Sequence, residues 1–173
     1  MSLRDTQRSR VYKAEMAIWE THSGERFREV KDIDRYIKKE FARKAITRRY
    51  PTATTKVAIH DGGGRRRACA WGTYKISLPI WARFELAVIH EMAHIITHRH
   101  YGERNVAGHG WQFCAVFLDL VRFIMGKETH AELKASFKTH KVRFIEPRKR
   151  APLSPERRAE LAARLAAARA AKV

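Results

Sequence analysis

The sequence predicts an α+β fold on three observations. Apolar residues recur at helical spacing through the first fifty positions, a short β-branched stretch near residue 60 is closed by a glycine-rich turn, and two strongly apolar helical stretches lie between residues 83 and 125. In the first part, Val11, Met16, Ile18 and Trp19, then Val30, Ile33, Ile37 and Phe41, are spaced with charged residues between them, the pattern of two amphipathic helices. Ser23-Gly24 separates the two, and Pro51 follows the second.

Residues 55–60 (TKVAIH) read as a strand running into Asp61-Gly62-Gly63-Gly64, a turn signal. Beyond it Ala68, Ala70, Tyr74, Ile76 and Leu78 fall mostly on alternate positions, so a β-hairpin or small meander is expected, with Gly72 as a bulge. Pro79 ends that strand. An apolar helix over residues 83–98 follows, then a second over 111–125 that stops at Gly126, a short helical piece over 131–137 and an extended segment over 141–145. At Pro147 the composition changes abruptly. Ser154, Pro155 and Glu156 form a helix start, and the Ala/Leu/Arg run behind them has high helix propensity but a narrow apolar stripe, chiefly Leu161 and Leu165. The expected organisation is a domain over residues 1–146, helical over 1–50, with an appended basic helical tail over 147–173.

A chain of 173 residues has room for one core and a short appendage, which excludes two large domains. Thirty-six Lys and Arg against eighteen Asp and Glu leave a net charge of +18. Residues 1–50 contribute 14 basic and 8 acidic side chains, 51–140 contribute 12 and 7, and 141–173 contribute 10 and 3, so the positive charge is densest at the C-terminal end. Hydrophobic content of 45% excludes a wholly disordered chain. The charge suits an anionic partner such as DNA, although basic surfaces also serve solubility alone. Arg65, Arg66 and Arg67 at a turn, and Arg148, Lys149 and Arg150 before the tail helix, are the expected phosphate contacts, salt-dependent and indifferent to base sequence. Trp71 and Trp81 at their spacing are expected in the core, base stacking being the rarer use. Cys69 and Cys114 are too few and too far apart for a disulfide framework and read as buried thiols. No apolar run is long enough for a signal peptide or a membrane span, so a cytoplasmic protein without membrane contact is expected, with nucleoid association as the alternative its charge allows.

The sharpest motif is His90-Glu91-Met92-Ala93-His94. On a helix, residues four apart lie one turn above each other, so two imidazoles face one side at a separation a single Zn²⁺ can bridge, and Glu91 can take a proton from a water held there. Ala87, Val88, Ile89, Ile95 and Ile96 make that helix buried on nearly every side except the ligand face. A catalytic zinc usually takes a third protein ligand. His98 lies roughly 12 Å along the axis from His90 and cannot join the same tetrahedron. His100 would need the helix to turn sharply at Thr97, a residue that resists that backbone conformation. His109 is the better choice: it follows a loop over 101–108 that can swing back over the metal, and Gly108 and Gly110 permit close approach. One zinc per chain, held by His90, His94 and His109 with Glu91 as general base, is the expected centre. Glu103 and Asp119 are candidates to orient a ligand histidine, and His98, His100, Tyr101 and Arg104 to stabilise an oxyanion.

The HEMAH motif followed by Gly108-His109-Gly110-Trp111-Gln112-Phe113-Cys114, with fourteen residues between His94 and His109, resembles the SprT-like (Spartan-type) zinc metalloproteases, over residues 84–125. It is also similar to small bacterial and phage HExxH metallohydrolases. The resemblance implies a zincin-like fold, His90, His94 and His109 as zinc ligands, Glu91 as general base, and peptide-bond hydrolysis in protein substrates, including DNA-bound ones. It departs from the family pattern in lacking cysteines for a C-terminal zinc ribbon, where a basic helix stands instead. A different class of reading is a basic nucleic-acid-binding or assembly protein whose zinc site is structural or inactive; Glu91 beside its ligand argues against it.

Overall fold

The computed structural model describes residues 3–53, 56–64, 66–146 and 154–170. Its elements make an α+β fold, with helices α1 (Arg8–Met16), α2 (Trp19–His22), α3 (Val30–Phe41) and α4 (Lys44–Arg49) preceding a three-stranded sheet, β1 (Ala58–Asp61), β2 (Cys69–Trp71) and β3 (Lys75–Leu78). Helices α5 (Glu85–Tyr101), α6 (Trp111–Ile124), α7 (Lys127–Thr139) and α8 (Pro155–Ala170) follow.

The first predicted helix is broken in two near Ala17, and a fourth short helix, α4, was not expected; its single buried residue, Ile46, leaves too little periodicity to read. Strand pairing also differs from expectation. The hairpin joins β2 to β3, and β1 lies parallel to β3, giving the order β1-β3-β2. Alternation identifies strands but not their partners. The tight turn is Trp71 to Tyr74, where the Tyr74 N–H donates to the Trp71 carbonyl and Gly72 takes φ 55°, so Gly72 is a turn residue and not a bulge. Central β3 buries Ile76 and Leu78 on one face and Ser77 on the other.

Helix α5 is the axis of the molecule, and α6 packs along it and joins it in one core with Ile76 and Leu78 of the sheet. Its start is held by the loop before α3. Glu85 and Leu86 donate their N–H groups to the carbonyls of Glu25 and Ser23, and Phe27 donates to that of Arg83, satisfying donors that a helix N-terminus leaves open. Gly24, at φ 75°, makes that approach possible, since a Cβ there would lie 2.7 Å from the Glu85 Cβ. At its other end α5 runs straight through buried Thr97 and three residues past the predicted stop, until Gly102 at φ 85° releases it.

Helix α7 is longer than its predicted core, and residues 141–146 form no strand. Helix α8 begins as expected, with the Arg157 N–H donating to Ser154 Oγ at 3.3 Å, and none of its described side chains is buried. Arg65, Arg148, Lys149 and Arg150 lie outside the described residues. No helix among the described residues is long and apolar enough to cross a membrane.

Candidate metal centre

His90 and His94 project from one face of α5, as i and i+4 on a helix must. The loop between α5 and α6 returns His109 to the same point, so that nitrogen atoms of the three rings lie within 4.8 Å of one another. His90 Nε2 is 3.2 Å from His94 Nε2 and 3.3 Å from His109 Nε2. Phe113, one turn into α6, stacks under His94 at 4.2 Å between ring centroids and meets His90 and His109 edge-on. Phe117 closes the floor beneath His90.

Two carboxylates fix the rings from behind. His90 Nδ1 donates to Glu15 Oε1 at 2.8 Å, and His109 Nδ1 donates to Asp5 Oδ2 at 2.6 Å. With a proton on each Nδ1, the Nε2 atoms of neutral His90 and His109 are both acceptors, yet they face each other at 3.3 Å. Two facing lone pairs repel unless a cation lies between them. Nitrogens on a tetrahedral Zn²⁺ at 2.0–2.1 Å are about 3.3–3.4 Å apart, so the donor set fits that ion in chemistry and in spacing. Electrostatics agree for two of the rings. Burial, with the neighbouring histidines, holds His94 well below its usual range and brings His109 down to about 4, keeping both neutral as ligands must be. For His90 burial acts downward, but the charge and hydrogen bond of Glu15 outweigh it and raise the value.

Glu91 points beside this cluster. Its carboxylate accepts the Ala70 N–H from β2, while Oε2 is buried without a hydrogen-bond partner among the described residues. Burial is the main reason its carboxyl rises to about 7. A cation on the three histidines would draw that value down and give the orphan oxygen a water to hold.

The carboxylates behind the rings are not the ones the sequence suggested. Asp119 accepts instead from Tyr50 Oη at 2.7 Å and pairs with Arg49, and exposed Glu103 sits at the Gly72 turn. Glu15 did carry a signal, an acid on the apolar stripe between Val11 and Ile18; Asp5 carried none. Gln7, also missed, donates to the carbonyls of His109 and Arg143 and accepts the Arg143 N–H, clipping the N-terminal segment against the metal loop. The reason for glycine at 108 is visible too: a Cβ there would come within 3.1 Å of Asp5 Oδ2.

The other sequence candidates fall elsewhere. His100 stays on α5 and packs edge-on against Tyr50, because the helix does not bend at Thr97. His98 Nδ1 donates to the Gly72 carbonyl at 2.9 Å and, with Arg99 bonded to the Thr73 carbonyl, ties the hairpin to the helix. Tyr101 packs against Trp111, and Arg104 is exposed. The polar ring that does lie on the cluster is Tyr12, 5.7 Å from His90 and 5.2 Å from His109 between centroids. Arg66 and Arg67 are exposed, and Trp71 and Trp81 are not core residues, leaving 39% and 54% of their surfaces in solvent. Cys114 is buried, but Cys69 only half so.

Asp5→Asn is expected to weaken metal affinity about 10- to 100-fold, as loss of a carboxylate behind a ligand imidazole does elsewhere. Asp119→Asn should leave it unchanged. Chelator competition on the two variants measures the difference, and equal affinities would remove Asp5 from the centre.

No protein-family model, curated protein or solved structure matches the chain.

Proposed function

We propose that the chain is a zinc metallohydrolase, a zincin-like protease of SprT-like type that cuts peptide bonds in protein substrates, including proteins on DNA. The observation that carries this reading is the pair of carboxylate-fixed imidazoles whose lone pairs face each other at 3.3 Å, with His94 beside them and, at the same place, a Glu91 oxygen that has no hydrogen-bond partner among the described residues. A purely structural zinc site has no use for that buried carboxylate.

His90, His94 and His109 would hold the ion. Zinc held there would supply Lewis acidity toward an amide carbonyl and toward water. Glu91 accepts the proton of the attacking water at Oε2 as the new C–O bond forms, and then delivers it to the leaving amine nitrogen as the C–N bond breaks. Glu15 and Asp5 hold the imidazole tautomers through both steps. Strand β2 pairs with β3 and gives its Ala70 N–H to Glu91, which fixes the carboxylate beside the three histidines.

The direct test is degradation of casein or histone by the zinc-loaded chain, with and without single-stranded DNA, against the chelator-treated chain. Zinc-dependent cleavage supports the reading; intact substrate in every zinc-loaded arm overturns it. Charge supports the DNA association: only Arg99, Arg104 and Arg122 are basic between Phe84 and Met125, so the positive charge surrounds the catalytic core without forming it. Removing residues 147–173 takes away eight of the 36 Lys and Arg of the chain: Arg148, Lys149, Arg150, Arg157, Arg158, Arg164, Arg169 and Lys172. DNA affinity should fall and its salt dependence flatten in that truncation, as read by fluorescence anisotropy over a salt series. Unchanged affinity and slope would detach the tail from DNA. With its thiols unbridged, the protein suits a reducing, cytoplasmic compartment.

A further inference from the structure

We propose that the cavity beside Glu91 is a subsite for one large apolar side chain of the substrate, next to the amide that is cut. The proposal rests on the hydrolase reading above and specifies its substrate class: peptides with an aromatic or long aliphatic residue adjoining the scissile bond.

The cavity has a volume of about 700 Å³, within the range of sites that enclose a small ligand. Its floor is α5, where Ala87 lies one turn before the pair His90 and Glu91, and all three line it. A group seated on Ala87 is therefore held one helical turn from the reacting centre. The walls are Met16 and Trp19 from the first helices and Trp81 and Phe84 from the segment leading into α5. Trp19 and Phe84 meet edge-to-face at 5.3 Å and form a preorganised apolar wall. Met16 and Trp81, at the same cavity, leave 66% and 54% of their surfaces exposed. Large apolar groups gathered around a concavity and left in solvent mark a binding surface, since the fold itself gains nothing from keeping them there. Glu91, whose Oε2 is buried without a hydrogen-bond partner among the described residues, lines the same cavity. Arg8 and Arg67 line it against Glu15 and Glu91, and a cation in the centre would make the balance positive, so a Lys or Arg side chain is disfavoured.

The test uses the full zinc-loaded chain and quenched fluorogenic peptides that differ at one residue, Phe, Leu, Ala or Lys, placed on each side of the scissile amide in turn. On one side, kcat/KM for Phe and Leu should exceed that for Ala about 10- to 100-fold, with Lys below Ala. Ala87→Trp, which fills the floor, should bring the Phe-to-Ala ratio toward one. Binding of the same peptides to the Glu91→Gln chain, followed by tryptophan fluorescence, should keep the order Phe and Leu over Ala over Lys without any turnover. Cleavage with equal rates and equal binding for all four peptides would overturn the subsite and leave the hydrolase reading standing. Absence of cleavage with the binding order intact would overturn the hydrolase reading and keep the apolar site, and absence of both would overturn the two together.

Discussion

Glu91→Gln is expected to keep about one zinc per chain and to lower hydrolysis by roughly 10²- to 10⁴-fold, the usual worth of a positioned general base. Glutamine has nearly the same shape and retains a carbonyl oxygen for the Ala70 N–H, so β2 stays in place beside α5. What is lost is the capacity of the second oxygen, buried and unpartnered, to take a proton. The three imidazoles are untouched, and metal content measured by atomic absorption should match the parent. Steady-state cleavage of casein gives the second number. A glutamine variant as active as the parent would remove Glu91 from the reaction, and the reading as a binding protein with a structural or inactive zinc would then take precedence.

His109→Ala should release the metal, whereas His100→Ala should retain it. Alanine at 109 removes one of three nitrogens and leaves His90 and His94, four residues apart on one helix, as a two-point site of much lower affinity. It also leaves the Asp5 carboxylate without its imidazole and opens space over Phe113. His100 instead packs on Tyr50, away from the cluster, so its loss costs only a surface contact. Because metal bound to the folded state alone stabilises it by mass action, the same contrast should be visible in unfolding. Added zinc should raise the Tm of the parent and of His100→Ala, and leave that of His109→Ala nearly unmoved. Metal retained by His109→Ala and lost by His100→Ala would reverse the assignment.

The parts of the site that were legible in the sequence are those whose geometry is local. His90, Glu91 and His94 lie within five residues of one helix, and 3.6 residues per turn sets their relation whatever surrounds them. The helices α3, α5 and α6 were legible for the same reason, since their apolar residues mark one continuous buried face or a wholly buried body. The break in α1–α2 and the presence of α4 were not, because four to six residues carry too little period to separate from a loop. Sheet order was hidden for a different reason: alternation shows that a segment is a strand, and both a β1–β2 hairpin and the observed parallel β1–β3 pair satisfy it.

The α+β class, the pair of histidines with its neighbouring carboxylate, the helical tail start at Ser154, and the choice of His109 over His98 and His100 all follow from local pattern, turn chemistry and helix rise. Which groups meet those residues from far along the chain is set by packing. Glu15 reaches His90 across 75 residues and Asp5 reaches His109 across 104. Packing also turned Trp81 and Met16 outward beside Glu91, where a buried position was expected of the tryptophan. The physical reason is that bond geometry fixes distances within one helix, while contacts between distant segments depend on how whole faces pack. In this chain the loop between α5 and α6 brings His109 to the two helical histidines, and Asp5 and Glu15 from the N-terminal segment hold two of the three rings in place.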